Sequence, residues 1–270
     1  MFNLLKEKLI IKIESTIIFK INQTKIYMKK SDQLLLEIAR CDNFINCKNC
    51  ECEKIVNSQK QAEKQIPEPW NGDIENSKIL FISSNPSINL NEVYPLASWN
   101  DNDIIDFFYN RFSESKKYVK GYLYPQEVNG YAENWVRYWA YVRSIARKLL
   151  EKKNVTPGTD DTLMETVRCK SLKEYGVVEA IDTCTEKYLS RTLEISKAKV
   201  IIVVGDKARD ILSEKLNIKF KENFHTEQII GGLNRIIFAT PHSNARKKRQ
   251  VEDILSKESI CHIKEFLKLT

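Results

Sequence analysis

An α/β fold is predicted: a three-layer α/β/α sandwich around a central, mainly parallel, four-stranded sheet. Three observations predict it. Four short apolar runs read as buried strands, at 78–83, 163–168, 200–204 and 235–239, and all but the second are rich in β-branched residues. Helical patterns lie between and after them, at 132–151, 177–195, 208–216 and 250–267. Strands alternating with helices imply a parallel sheet covered on both faces. Apolar residues make up 42% of the 270, enough for a core of that kind.

Taken in order, residues 1–31 form a Lys- and Ile-rich extension with no evident site chemistry. Their apolar character is interrupted by Lys6, Glu7, Lys8, Lys12 and Glu14, which no signal peptide tolerates, so a cytoplasmic location is expected. Ser31 caps a helix over 32–41. A thiol-rich loop follows, and a connector over 65–73 is punctuated by Pro67, Pro69 and Gly72. The main domain is expected to run over 32–270, with a basic, aromatic insertion at about 100–155. Residues 110–153 carry ten Lys or Arg against four Asp or Glu, much of the surplus in a chain of formal net charge +7. Trp135, Tyr138, Trp139 and Val142 follow helical spacing and are expected to pack on the sheet. Phe107, Phe108, Tyr109, Tyr118, Tyr122 and Tyr124 show no clean period and are open to base contacts. Nothing approaches the ~18 uncharged apolar residues of a membrane span. Eight Gly and seven Pro exclude collagenous or low-complexity architecture.

Ligands of such sheets bind at the carboxyl ends of the strands, which directs attention to the loops beginning at Ser83, Arg168, Gly205 and Thr240. Cysteines come next. There are seven, an odd number, and Cys41, Cys47, Cys50 and Cys52 fall close together. Cys47 and Cys50 form a C-x2-C pair, Cys169 ends the second strand, and Cys184 lies fifteen residues later in a helix. Four thiolates of this kind suit a [4Fe–4S] cluster or, less well, zinc, because the second tight pair of a zinc ribbon is missing. Ordinary buried thiols are the alternative. Cys41 and Cys52 compete with Cys47 and Cys50 as ligands, and Cys261 reads as a core residue of the last helix.

In order, the chain shows Cys47-x2-Cys50, then Ile79-Leu80-Phe81-Ile82 running into Ser83-Ser84-Asn85-Pro86-Ser87. Glu165-Thr166-Val167-Arg168-Cys169 follows, then Cys184, Val200 to Gly205, and Ala239-Thr240-Pro241-His242-Ser243-Asn244. This order resembles the uracil-DNA glycosylase superfamily, particularly its iron–sulfur branch, family 4, over roughly residues 32–268. The resemblance implies a [4Fe–4S] cluster on Cys47, Cys50, Cys169 and Cys184, a DNA partner and a monomeric DNA N-glycosylase. It also implies catalytic roles for Asn85, which would position water, and His242, which would stabilise the departing base. Ser84, Glu165 and Ser243 are then expected to contact the substrate. Asn244 and the basic run Arg246-Lys247-Lys248-Arg249 would contact DNA as a wedge loop and phosphate grip.

The chain departs from the family 4 pattern in informative ways. That family has Gly-Glu-Ala-Pro-Gly as its first motif; the acidic position falls on Ser84. The Pro-Phe-x-Gly stretch whose Phe stacks on uracil is missing. The Asn that reads uracil aligns with Glu165. A carboxylate only accepts hydrogen bonds, which suits the exocyclic amine of cytosine, and a protonated Glu165 could also donate to cytosine N3. The alternative is that Glu165 merely pairs with Arg168 or another basic group of the cluster region. The expected function is therefore a monofunctional glycosylase excising a modified pyrimidine, for example glucosylated hydroxymethylcytosine of phage DNA, in antiviral defence. Uracil excision in DNA repair is the runner-up, and a noncatalytic iron–sulfur nucleic-acid-binding protein is the reading from another class.

Overall fold

The structure is a computed structural model. It describes residues 28–48, 50–59, 65–112, 117–119, 122–222, 224–245 and 250–268. Residues 31–270 form one compact unit. The expected extension at 1–31 and the basic run at 246–249 lie outside the described residues, apart from 28–31.

Among the described residues, five strands form one mostly parallel sheet: β1 (Ile79–Ser83), β6 (Asp161–Glu165), β7 (Val200–Val204), β8 (Thr226–Ile230) and β9 (Leu233–Thr240). Their spatial order is β6-β1-β7-β9-β8. All neighbours are parallel except β8, which pairs antiparallel with β9 at the edge. Four strands were expected, and β8 is the addition. Its alternating burial marks an edge strand with one wet face, so it lacks the apolar run that betrays β1 and β7. The strand expected at 163–168 begins earlier and ends at Glu165, because Asp161 and Thr162 start the ladder with β1 despite their polarity. Cys169 consequently lies four residues beyond the strand.

Alternate residues of each central strand enter different cores, as the two-residue period requires. Leu80, Ile82, Ile201 and Val203 pack into one cluster with α1 (Lys30–Ala39), α4 (Asp101–Asn110), α6 (Val177–Ile195) and α7 (Asp206–Lys215). Ile79, Phe81, Val200 and Ile202 pack into the other with α5 (Arg137–Leu150), α8 (Val251–Ile254) and α9 (Lys257–Lys268). Helices thus cover both faces. Two further short helices, α2 (Asp42–Ile45) and α3 (Glu53–Ser58), carry the thiol-rich segment.

Helix α6 matches its expected bounds, whereas the expected 132–151 helix is shorter as α5, and 250–267 is broken into α8 and α9. Helix α4 was not anticipated. Asn100 starts it, its side chain accepting the Asp103 N–H in an N-cap. Between α4 and α5 lie two small hairpins, β2 (Tyr118–Val119) with β3 (Tyr122–Leu123) and β4 (Gln126–Glu127) with β5 (Gly130–Tyr131). No helix among the described residues is long and apolar enough to cross a membrane.

Candidate functional site

The carboxyl ends of β1, β6 and β9 open onto a cavity of about 480 Å³. Asn85, His242, Ser84, Glu165, Ser243 and Asn244, all singled out from the sequence, line it. Each arrives by a definable route.

Segment 83–87 leaves β1 and is strapped to the chain beyond β6. Ser83 and Ser84 carbonyls accept the Thr166 and Val167 N–H groups at 2.8 and 2.9 Å. The Pro86 carbonyl accepts from the Ser171 N–H at 3.0 Å. Asn85 Nδ2 donates to Ser171 Oγ at 2.7 Å and to the Pro86 carbonyl at 2.9 Å. With its amide nitrogen so engaged, Asn85 has its Oδ1 left to accept from a water or a ligand hydroxyl.

His242 follows β9 and packs on Gly205, the residue that caps α7. Gly205 has φ of 94°, and a Cβ there would meet the His242 Cβ at 3.5 Å. The Tyr138 ring stacks on the imidazole with centroids 5.9 Å apart and an interplanar angle of 17°. Burial holds the His242 pKa below its ordinary value, against the opposing charge of Glu174. Nδ1 accepts the Asn244 N–H at 3.2 Å. A neutral ring with Nδ1 as acceptor carries its proton on Nε2, as a donor. Ser243 is buried, and its hydroxyl has no hydrogen-bond partner among the described residues, which leaves it open to a ligand.

Glu165 ends β6 directly beside Ser83 of β1. Its carboxyl accepts from Ser83 Oγ, which is also 2.9 Å from the Tyr138 hydroxyl. Burial pushes the Glu165 pKa up to about 8, Glu68 adds to this, and Ser83, Arg168 and Arg111 oppose it. Near neutral pH the group is therefore a carboxylic acid, both donor and acceptor. The expected alternative, a pair with Arg168, is not formed by hydrogen bonds. Arg168 bonds the Pro69 carbonyl and Thr192 Oγ1 instead.

Sequence reasoning missed the rest of the lining. Arg111 is buried between Glu68 and Glu92, at 2.9 and 2.6 Å. Burial would lower its pKa, yet these two carboxylates raise it. Burial likewise works against the Glu68 charge, but Arg111 and Lys170 hold its pKa below the usual value. Lys170, itself buried, lies 3.5 Å from the Tyr94 ring centroid. The lone signal in the sequence was the basic surplus of the insertion, which does not single out Arg111. Of the aromatics, Tyr138 and Trp139 face this cavity rather than serving only the sheet. Trp135 precedes α5 and stacks on Tyr122 at 4.4 Å.

The loop after Ser171 supplies one more group. Lys173 and Glu174 both have left-handed backbone, with φ of 51° and 62°, at a cost of about 1–2 kcal/mol each for residues with a Cβ. The Glu174 side chain reaches the cavity, 3.5 Å from Ser84 Oγ, and pairs with Lys207 at 2.6 Å.

The thiols are arranged differently from the expected ligand set. Cys47 and Cys50 are joined to each other in a disulfide, with Cα atoms 5.6 Å apart. Cys41, Cys52, Cys169 and Cys184 are free and buried. A hydrogen bond to Cys52 raises the Cys184 pKa well above the usual thiol value, and burial adds to it; the same bond lowers that of Cys52. Burial and the charges of Cys41 and Cys52 push Cys169 up. The thiols interacting with Cys169 and Cys184 are thus Cys41 and Cys52. Among the described residues, no three or more His, Cys, Asp or Glu lie close enough to hold a single metal ion. Cys261, expected in the core, is exposed.

No protein-family model matches the chain, and no curated protein matches it.

Proposed function

We propose that the protein is a monofunctional DNA N-glycosylase acting on a modified pyrimidine. One observation carries the reading: a single cavity gathers an oriented amide, a neutral imidazole with an Nε2 donor, and a protonated carboxyl. Breaking an N-glycosidic bond leaves positive charge on the sugar and negative charge on the base. Asn85 Oδ1 would hold the attacking water. His242 Nε2 would donate to a base carbonyl oxygen, and its neutrality makes it a donor without adding a second cation. Glu165 would read the Watson–Crick edge of the flipped base.

The size and polarity of the cavity favour a substituted base. A bare pyrimidine, of about eight non-hydrogen atoms, does not fill the 480 Å³. The remainder runs toward Asn89, Glu92 and Arg111, groups suited to a polar substituent such as the sugar of glucosylated hydroxymethylcytosine. Uracil is the second reading, because a protonated Glu165 offers the same donor and acceptor pair as an amide.

The same reading includes a [4Fe–4S] cluster, for which Cys41, Cys52, Cys169 and Cys184 are the free buried thiols; among the described residues no three ligating side chains lie together as they stand, so no step of the chemistry is routed through it. Its contribution would be structural, tying the segment before β1 to the strap that holds Asn85.

The test is incubation with a uracil-containing oligonucleotide and, separately, with glucosylated phage DNA, followed by alkali to cut at abasic sites. Cleavage of the phage DNA alone supports the substituted base, and cleavage of the uracil DNA alone supports the second reading. Abasic sites in neither, from folded protein, would sink the glycosylase assignment.

A further inference from the structure

We infer that Glu174 is the catalytic carboxylate of this site, delivered from a different loop to the place that Ser84 leaves without one. The inference rests on the glycosylase reading above and adds a residue to it.

Segment 83–87 provides an amide at Asn85 but no acid: Ser84 stands beside it. Cleavage through a cationic sugar needs negative charge near C1′ and an acceptor for the proton of the attacking water. Glu174 lines the same cavity as Asn85 and His242, with Oε1 3.5 Å from Ser84 Oγ. Its charge already acts on the His242 ring. Lys207 holds Oε2 at 2.6 Å, which orients the carboxyl and leaves Oε1 toward Ser84.

The delivery is built into the backbone. At one end, Ser171 is locked to the Asn85 segment through its N–H, its hydroxyl and its carbonyl, the last accepting the Ile88 N–H at 3.1 Å. At the other end, Gly176 meets the backbone of Ile55 so closely that a Cβ would lie 2.3 Å from the Ile55 nitrogen. Between these anchors the two left-handed residues, Lys173 and Glu174, turn the chain so that the carboxylate enters the cavity. An ordinary surface loop has no need of two successive non-glycine residues in that conformation.

The step balances. Water held by Asn85 Oδ1 and Glu174 attacks C1′, and the new C1′–O bond forms as the bond from C1′ to the base nitrogen breaks. The electron pair of that bond leaves with the base, whose carbonyl oxygen accepts a hydrogen bond from His242. The water proton passes to Glu174 and then to solvent, and the departed base takes up a proton from solvent.

The experiment is single-turnover excision by the full-length wild type, Glu174→Gln and Glu174→Asn, on whichever of the two DNAs the wild type cleaves. Binding to the same DNA and thermal melting are measured in parallel. Asn tolerates the left-handed backbone and cannot ionise, so it stands in if Gln disturbs folding. The expected result is a rate loss on the order of 100-fold or more in both variants, with DNA affinity within about 2-fold. The acidic limb of the wild-type pH–rate profile should be absent from both. Excision within about 3-fold of wild type in a folded variant, or a retained acidic limb, overturns the role of Glu174 and leaves the glycosylase reading intact. A wild type that excises neither base overturns both.

Discussion

Replacing Glu165 by Gln should make the protein more stable, and increasingly so as the pH rises. The folded carboxyl titrates at about 8 because it is buried between β1 and β6, while in the unfolded chain it titrates near 4.5. Below the unfolded value both states are protonated, so Glu165 costs nothing. Between the two values the unfolded chain releases the proton and the folded chain keeps it, so stability falls with rising pH. Each unit is worth about 1.4 kcal/mol. The cost comes to about 2 kcal/mol at pH 6, about 3 at pH 7 and a plateau near 5 once the folded group has also ionised. Gln does not titrate and keeps the shape, so it removes the pH-dependent part. The assay is urea unfolding of wild type and Glu165→Gln at about pH 6, 7, 8 and 9. The stability gap should widen by between 2 and 3 kcal/mol over that range, about the same figure the linkage gives. A gap that stays constant with pH would refute the argument, since it would mean that Glu165 ionises alike in both states.

Other outcomes follow from the site and its surroundings. Asn85→Ala should lower single-turnover excision on the order of 100-fold or more while DNA binding persists, and unchanged excision would remove Asn85 from the chemistry. Arg111→Met strands the buried Glu68 and Glu92 carboxylates. Urea unfolding should show a loss of about 3–5 kcal/mol, and a loss below about 1 kcal/mol would mean that the network is hydrated. Cys52→Ser in anaerobically purified protein should lose bound iron and sulfide, whereas Cys47→Ser should keep them; the reverse pattern would return the ligand role to the C-x2-C pair.

Much of the sheet was legible because its central strands leave little choice. β1 and β7 are buried throughout, so their sequences are apolar throughout. β6 was misplaced by two residues because Asp161 and Thr162 hide a strand start behind polar side chains, and β8 was hidden by its wet face. At the site, strand ends pointed to the loops, because a parallel sheet presents its ligand-binding groups there, and the resemblance to the glycosylase superfamily named Asn85, His242 and Glu165 within or beside them. Arg111, Tyr138, Ser171 and Glu174 were not so marked. They come from helices and loops far apart in the chain, and only the folded geometry brings them to one cavity. Glu174 had no local signal at all, since nothing in Lys173-Glu174 announces a left-handed backbone. The thiols are arranged otherwise than spacing suggested: the tight pair Cys47 and Cys50 forms a disulfide, and Cys41 and Cys52 are the free, buried ones.

The strap from Glu165 to Ser171 has a consequence for how the protein would fail. Along seven consecutive residues it carries the buried Glu165 carboxyl, a buried thiol at Cys169 and the hydroxyl that fixes Asn85. Damage and function therefore share one wire. Ser171 Oγ is what holds the Asn85 amide nitrogen, so a change that displaces Ser171 frees that amide without touching the sheet. A molecule altered there would lose the proposed activity before it lost its fold.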